Sequence, residues 1–408
     1  MFTPTKTSSG LTILHCKDRK GGLMNDTIQY IHWINHGVAL GYLIACYLFF
    51  FSLAEGTHIV SHLSWLYYRQ SNYRPLEKVG SFLSFVILAF VSLFLIYDLG
   101  HPERALTMLY HWNWTAPVAY GFYVVLFCII AYAFHSYYLF RPEMAVKAKN
   151  GGRFAGLYKL LLFGNPEEGS TEEIRRRHAA KERFWANTSV TMSIIGLIYL
   201  GVLLSSFKGR VAWNSAMTIF IFLSQGVSTG AAFLILFTKI KNALSKPAGQ
   251  AAADQEGYLA GLARLLKYAV IVQAAVWAIY FLQLQYAGEG GEVAAAMFFS
   301  GPRAVQFWMF QVVIGLVLPF VVLFHKNLRK IAVLRVVAAL GTILGAFYGI
   351  VNIFIGGQLL PMTSNVWEKV PSEPGKIVFA VIMVAIIVGI FLISYKLLPY
   401  ENIQSEEA

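Results

Sequence analysis

Nine apolar stretches, each long enough to cross a hydrocarbon core of about 30 Å, constrain the fold of this chain more than any other feature. They cover approximately 31–57, 80–97, 115–139, 189–206, 213–238, 265–286, 304–325, 331–356 and 377–397. The first stretch stays compatible with a helix to Tyr68. The stretch 152–164 is too short and too basic to span, and this pattern predicts an interfacial helix. The sequence therefore predicts an all-α polytopic membrane protein with nine transmembrane helices.

Composition narrows the possible functions. Only 13% of the residues are charged and 57% are hydrophobic, whereas a soluble domain has about 25% charged residues. The basic residues behind the net charge of +12 lie in loops between the apolar stretches. Membrane topology and contact with anionic lipid explain this distribution better than nucleic-acid binding does. The three cysteines, Cys16, Cys46 and Cys128, are too few for an iron–sulfur cluster and lack the C-x-x-C-H spacing of covalent haem. We expect no metal centre and no covalently bound cofactor in this chain.

The loop charges predict the orientation. Lysine and arginine are enriched in the loops after the first, third, fifth and seventh spans. These residues are Arg69, Arg74, Lys78, Lys147, Lys149, Arg153, Arg175, Arg176, Arg177, Lys181, Arg183, Lys239, Lys241, Lys246, Lys326, Arg329 and Lys330. The positive-inside rule puts these loops in the cytoplasm. We therefore expect a bacterial inner (cytoplasmic) membrane protein with a periplasmic N-terminus.

A weak internal repeat predicts two bundles in the same orientation. Gly56 of the first span corresponds to Gly230 of the fifth span, with small residues around both. Chance similarity between stripes of small packing residues would give the same pattern. The predicted organisation is an extracytoplasmic segment 1–29, a first four-helix bundle 30–206 with a cytoplasmic basic loop 141–188, a second bundle 213–356, a ninth helix 377–397 and a cytoplasmic tail 398–408.

The segment from Asp98 to Arg104 concentrates charge at the mouth of the second span. It contains Asp98, His101, Glu103 and Arg104 within seven residues. A charge at membrane depth costs at least about 2.5–3.5 kcal/mol, so such a cluster is a candidate functional site. An interfacial cap is the alternative, with Arg104 reaching the headgroups and Pro102 ending the helix.

Polar residues of several spans converge on the same side of the membrane. The first span enters with His32, Asn35 and His36, the second leaves at Asp98, and the fourth carries Tyr199 near its exit. Polar groups above apolar walls suit a lipid-soluble molecule with a polar ring, of which a quinone is the obvious case. Each residue taken alone is also compatible with an interfacial anchor.

A second polar set lies deeper in the predicted bundle. Glu55, His58 and His62 share one face of the first span, and His135 lies toward the inner end of the third. An intramembrane glutamate usually marks a proton or ion path, although a structural hydrogen-bonded pair between helices fits equally. Haem b would need ligands on two facing helices, and His58 with His62 on one helix cannot hold one iron from both sides.

Four motifs give the chain a resemblance to the NrfD/PsrC family of quinone-interacting membrane subunits. They are Tyr47-Leu48-Phe49-Phe50 with Leu53-Ala54-Glu55-Gly56, the D-L-G-x-P-x-R pattern from Asp98 to Arg104, the segment 199–205 that begins at Tyr199, and Trp213-Asn214-Ser215 with Ser228-Thr229-Gly230. The D-L-G-x-P-x-R pattern is fairly specific, and the others are weak alone. Glu55 replaces a small residue that is usual in the family, and the ninth helix exceeds its eight-helix core.

The resemblance implies an integral subunit of a respiratory oxidoreductase that passes electrons to or from menaquinone or ubiquinone. We expect electron flow in the direction of quinone reduction. The resemblance also implies that Tyr199 and either His36 or Asn35 bind the quinone head. The Asp98–Arg104 loop would contact the partner. The implied partner is a periplasmic iron–sulfur subunit, and a molybdopterin-family subunit is a further candidate. The chain looks most like the membrane subunit of menaquinone reductase complexes, where electrons come from multihaem cytochrome c.

Two other functions remain open from the sequence. Parallel repeats and charges within spans also occur in secondary transporters, although transporters place their sites near the midplane. A haem b membrane anchor is the other alternative. If the chain is a quinone-reacting subunit, the candidates for proton uptake from the cytoplasm are Glu55, His58, His62 and His135.

Overall fold

The computed structural model describes residues 2–6, 12–16, 40–68, 74–98, 103, 107, 110, 113, 115–151, 153–164, 167–245, 249–359 and 374–400. Two antiparallel strands, β1 (Phe2–Lys6) and β2 (Thr12–Cys16), form a hairpin in the N-terminal segment. All the other regular structure in these ranges is helical. The predicted all-α class is therefore confirmed, with a small hairpin that the sequence analysis did not anticipate.

Nine helices of the described residues are long and apolar enough to span a membrane. They are α1 (Tyr42–Tyr68), α2 (Arg74–Asp98), α3 (Pro117–Lys149), α5 (Thr171–Ser205), α6 (Met217–Ser245), α7 (Gly249–Gln285), α9 (Gln306–Phe324), α11 (Ala332–Leu359) and α12 (Pro374–Leu397). The short helices are α4 (Ala155–Leu161), α8 (Glu289–Phe299) and α10 (Lys326–Lys330). The nine predicted spans are confirmed, and α4 lies where the interfacial helix was predicted.

The helices pack as two groups of four. The first bundle contains α1, α2, α3 and α5, and the second contains α6, α7, α9 and α11. Helix α1 is central, since 83% of its most apolar stretch is buried, whereas the same measure is 17% for α12. Helix α12 packs on α2 and α1 and thus belongs to the first bundle.

Glycines join the two bundles along α1 and α6. A Cβ added at Gly56 would collide with the backbone of Gly226, and one at Gly230 would collide with the backbone of Gly56. The missing side chains let the two helix backbones approach closely. Gly56 and Gly230, which the sequence comparison set opposite each other in the repeat, are therefore in direct contact at the junction of the halves.

The predicted cytoplasmic loop 141–188 differs from the structure in one respect. Helix α3 continues to Lys149 and α5 already begins at Thr171, where Ser170 and Glu173 form a capping box. Both helices thus project beyond the apolar stretches, because charged residues are good helix formers outside the bilayer. The basic residues of this region lie mostly on helix surfaces.

The start of α2 corrects a second expectation. The sequence pattern predicts Lys78 to be a loop cation, since the apolar stretch begins at Gly80. Helix α2 begins at Arg74, with Pro75 in its first turn, a position that proline tolerates well. Lys78 is fully buried within the bundle, so its charge carries no weight as a topology signal.

Candidate functional site

Glu55 lies in the interior of the first bundle and is fully buried. The hydroxyl of Tyr132 on α3 donates to Glu55 Oε2, and the same hydroxyl is 2.6 Å from Ser193 Oγ on α5. A Cβ at Gly196 would lie 3.1 Å from the Glu55 carboxyl carbon, so the glycine makes room for the carboxylate. Three helices thus position one intramembrane acid.

His58 lies one turn further along α1. Its imidazole stacks on the ring of Tyr132 with centroids 4.2 Å apart, and its Nε2 is 2.7 Å from Ser189 Oγ. Ser189 Oγ is in turn 3.3 Å from Nδ1 of His135 on α3. A serine on α5 therefore links the two histidines, whose ring centroids are 5.3 Å apart.

Glu77 on α2 completes the polar core. Its Oε1 lies 2.8 Å from His62 Nδ1 and 3.5 Å from His135 Nε2. Ser81 Oγ, one turn along α2, is 3.3 Å from His135 Nδ1. All these groups are buried, so α1, α2 and α3 enclose two imidazoles around one carboxylate.

The four residues predicted as a proton path are therefore brought together. His58, His62 and His135 form one continuous set of contacts with Glu77, and Glu55 joins the set through Tyr132, whose ring stacks on His58. Tyr132 and Glu77 were not predicted from the sequence. Tyr132 is one of 22 tyrosines and carries no distinguishing pattern. Glu77 was placed outside the membrane, although Pro75 in a first turn was an available signal for an earlier helix start.

Ion pairs close the basic end of the first bundle. Lys78 Nζ is 2.9 Å from Glu143 Oε1, and Arg175 Nη2 is 3.1 Å from the same oxygen. Arg74 pairs with Glu182 at 2.8 Å. At the aqueous ends of α3 and α5, Arg141 and His178 both contact Glu167. Burial raises the Glu167 pKa, but hydrogen bonds from Arg141 and His178 outweigh this effect, so its net pKa is below the ordinary value.

The residues predicted to bind quinone are only partly described. Tyr199 is half-buried on α5, and its hydroxyl donates to the backbone oxygen of Pro117 at 3.3 Å. Asp98 at the end of α2 lies 2.8 Å from Lys376 Nζ on α12. His32, Asn35 and His36 lie outside the described residues. These contacts join Tyr199 to α3 and Asp98 to α12, so the predicted common pocket remains a prediction.

The loop motif is also only partly described. His101 and Arg104 lie outside the described residues, and Glu103 is exposed. Asp98 is largely buried in its pair with Lys376, at 8% side-chain exposure. Its carboxylate is thus engaged within the chain, whereas Glu103 keeps the exposure that a partner contact requires.

The segment Trp213-Asn214-Ser215 connects the two bundles. The Trp213 indole donates to the backbone oxygen of Ile353 at 2.8 Å and stacks on Phe354. Ser215 Oγ donates to Gln283 Oε1 at 2.7 Å. This motif fastens the connection between α5 and α6 to α11 and α7, which is a structural role.

The polar contacts in the interior of the second bundle come from neutral groups. Gln225 donates to the backbone oxygen of Ala346 at 2.5 Å, Ser228 donates to Gln273 at 2.7 Å, and Asn352 donates to Gln311 at 3.0 Å. Gln311 belongs to a π-helical stretch, Gln306–Val317, within α9. Among the described residues, ionisable groups at mid-depth are thus concentrated in the first bundle.

Comparison with known proteins assigns the family. The family model described as polysulphide reductase, NrfD, matches residues 34–362, which is most of the chain. The chain belongs to the NrfD family. A selenate reductase subunit from Mesobacillus selenatarsenatis is 22% identical over 239 residues, which cover 55% of this chain and 52% of the relative. The chain thus matches about half the length of this curated relative, and both the family and the relative are named for reductases.

Proposed function

We propose that this NrfD-family protein is the quinone-reacting membrane subunit of a respiratory oxidoreductase. Electrons would arrive from an iron–sulfur subunit docked on the periplasmic side and reduce menaquinone or ubiquinone. The family match over residues 34–362 and the reductase relative support this role. The observation that carries the proposal is the buried acid–imidazole network of the first bundle.

Tyr199 is the described residue best placed to bind the quinone head. Its hydroxyl is close to the helix ends, where α3 begins at Pro117, and a phenol donates well to a quinone carbonyl. His32, Asn35, His36 and Asp98 are the further candidates from the sequence. The Lys376 ammonium pairs with the Asp98 carboxylate. We therefore assign Asp98 a role in shaping this end of the bundle rather than in direct contact with the quinone.

Reduction of a quinone to a quinol takes two electrons and two protons. We propose that the protons enter at the basic end and pass from Glu77 through His62 or His135, Ser189 and His58 to Tyr132 and Glu55. Contacts from Glu77 to His62 at 2.8 Å and to His135 at 3.5 Å support the start of the route. Ser189 then links His135, at 3.3 Å, to His58, at 2.7 Å. His58 meets Tyr132 by ring stacking, and the Tyr132 hydroxyl donates to Glu55. From Ser193, level with Glu55, to Tyr199 the rise along α5 is about 9 Å, a gap that water would bridge.

The predicted orientation in the membrane supports proton uptake from the cytoplasm. Lys149, Arg175 and Arg176 lie at the same end of the first bundle as Glu77, and the positive-inside rule assigns that end to the cytoplasm. Electrons from one side and protons from the other would separate charge across the membrane. The reaction would then generate a membrane potential.

The decisive experiment uses the intact complex in proteoliposomes. Replacing Glu55→Gln should abolish potential generation, because the amide cannot accept and release a proton, while quinone reduction stays measurable with protons from the outer side. Glu256→Gln is the matched control, since Glu256 pairs with Arg335 at the end of the second bundle and should leave the potential unchanged. An unchanged potential in Glu55→Gln would reject the route.

Copurification tests the wider role and separates it from the alternatives. An iron–sulfur subunit should accompany the chain, and a quinone-site inhibitor should block electron flow. Solute uptake without electron flow would favour a secondary transporter. A Soret band in the purified chain would favour a haem b anchor.

A further inference from the structure

A compact group of three ligand-type side chains lies at the basic end of the first bundle. His62, Glu77 and His135 come from three different helices, and one ligand atom from each lies within 4.8 Å of the others. All three side chains are at least nine-tenths buried. Two imidazoles and one carboxylate form the donor set of many protein zinc sites.

The spacing of the three atoms fits one small cation. His62 Nδ1 and His135 Nε2 lie 2.8 Å and 3.5 Å from Glu77 Oε1. Bond lengths of 2.0–2.1 Å in a tetrahedral zinc site put neighbouring ligand atoms about 3.3 Å apart. These two distances bracket the tetrahedral value, and the two histidine atoms lie within 4.8 Å of each other. Each histidine is therefore spaced from Glu77 as neighbouring ligands of one Zn²⁺ ion are.

The surroundings of the group favour metal binding in two further ways. Glu77 Oε2 is buried and has no hydrogen-bond partner among the described residues, so the carboxylate can turn its second oxygen toward a cation. The other ring nitrogen of His135 is held 3.3 Å from both Ser81 Oγ and Ser189 Oγ. Such outer contacts fix the ring orientation of metal-binding histidines.

Neighbouring cations are compensated, and the three-ligand group lies near the start of α2. Lys78 is paired with Glu143 and Arg74 with Glu182, so each of these positive charges is matched by a carboxylate. Glu77 belongs to the first turn of α2, about 4.5 Å of helical rise from Arg74.

We propose that His62, Glu77 and His135 form a three-ligand binding site for a divalent transition cation such as Zn²⁺. Water completes the coordination. The cation replaces the proton shared between His62 and Glu77, and that proton leaves to the aqueous phase. No oxidation or reduction is involved.

Equilibrium binding of Zn²⁺ to the purified full chain in detergent tests the site. We expect one ion per chain, with Glu77→Gln and His135→Gln weakening the affinity at least about 100-fold. His178→Gln is the matched control, because His178 also contacts a glutamate, Glu167, but lies outside the three-ligand group. Equal binding in wild type and Glu77→Gln would overturn the proposal.

Co²⁺ added to the wild-type chain gives a second test that needs no variant. Intense visible absorption bands of a four-coordinate ion are expected, and the weak bands of the hydrated ion alone would overturn the site. A further consequence depends on the proposed function, since a bound cation would block the relay at Glu77. Zn²⁺ that binds as expected yet leaves potential generation unchanged would support the site and reject the relay.

Discussion

The two bundles, which the sequence predicts to be repeats of each other, differ in what they bury. The first bundle buries Glu55 and His58 in its interior and His62, His135 and Glu77 toward its basic end. Between its helix ends, the second bundle buries glutamines, an asparagine and serine. The buried arginines of the second bundle, Arg303 and Arg335, lie at helix ends. One framework thus holds a titratable interior in one half and a neutral interior in the other.

This difference has an energetic meaning. Amides satisfy hydrogen bonds inside a membrane without the desolvation cost of charge, whereas buried carboxylates and imidazoles are costly unless they are partnered. Because neutral groups suffice to hold four helices together in the second bundle, packing alone does not require the ionisable set of the first. The titratable interior of the first bundle therefore supports the proposed proton route, which is confined to that half.

The largest effect of a substitution is expected at the junction of the two bundles, where α1 meets α6. Gly56→Ala adds a methyl group that would overlap the backbone of Gly226, and since backbone cannot move aside like a flexible side chain, α1 and α6 must separate. We expect loss of the folded, monodisperse protein in size-exclusion chromatography. Gly389→Ala on α12 is the control, because its added carbon meets no neighbour within 4 Å. Normal folding of Gly56→Ala would show that the junction is not close-packed.

Removing a buried polar partner should destabilise the protein more in the first bundle than in the second. Glu143→Ala leaves the fully buried Lys78 without its carboxylate, a change that costs about 3–5 kcal/mol. Gln273→Ala removes a neutral partner of Ser228, which costs about 1 kcal/mol. Thermal unfolding in detergent measures both, and equal losses would contradict the contrast between the bundles.

A pair of tyrosines tests function without changing packing. Tyr132→Phe keeps the ring on His58 but removes the hydroxyl between Glu55 and Ser193. We expect potential generation to slow at least about tenfold, since a positioned proton-transfer group contributes about 100-fold or more. Tyr280→Phe in the second bundle removes a hydroxyl bonded to the Ala212 backbone oxygen. It should cost about 1 kcal/mol of stability and leave potential generation intact.

The smallest effect concerns pH. Burial raises the Glu167 pKa, but Arg141 and His178 lower it by more. The ionised Glu167 carboxylate therefore stabilises the folded protein at pH values above the unfolded-state pKa. That contribution is lost as the pH falls through the lower folded-state pKa. Unfolding temperatures measured from pH 7 down to pH 3 should therefore fall less steeply in Glu167→Gln than in wild type. Parallel profiles would show that Glu167 contributes nothing to acid sensitivity.

The sequence predicts the architecture better than the partners within it. Runs of apolar residues locate the spans, and the helical spacing of Glu55, His58 and His62 predicts their shared face. Their contacts with Tyr132, Ser189 and Glu77 depend on how three other helices rotate against α1, which local periodicity does not encode. Lys78 was assigned to water because a charged side chain resembles a loop residue until its buried counterion, Glu143, is known.

Helix α12 covers one flank of the first bundle on the side that faces lipid. Its Phe379 stacks on Tyr97 with centroids 4.0 Å apart and contacts Phe94, while Lys376 pairs with Asp98. This flank of α2 is thus partly shielded from the bilayer. A molecule dissolved in the lipid on this side meets the ninth helix before it meets Phe94.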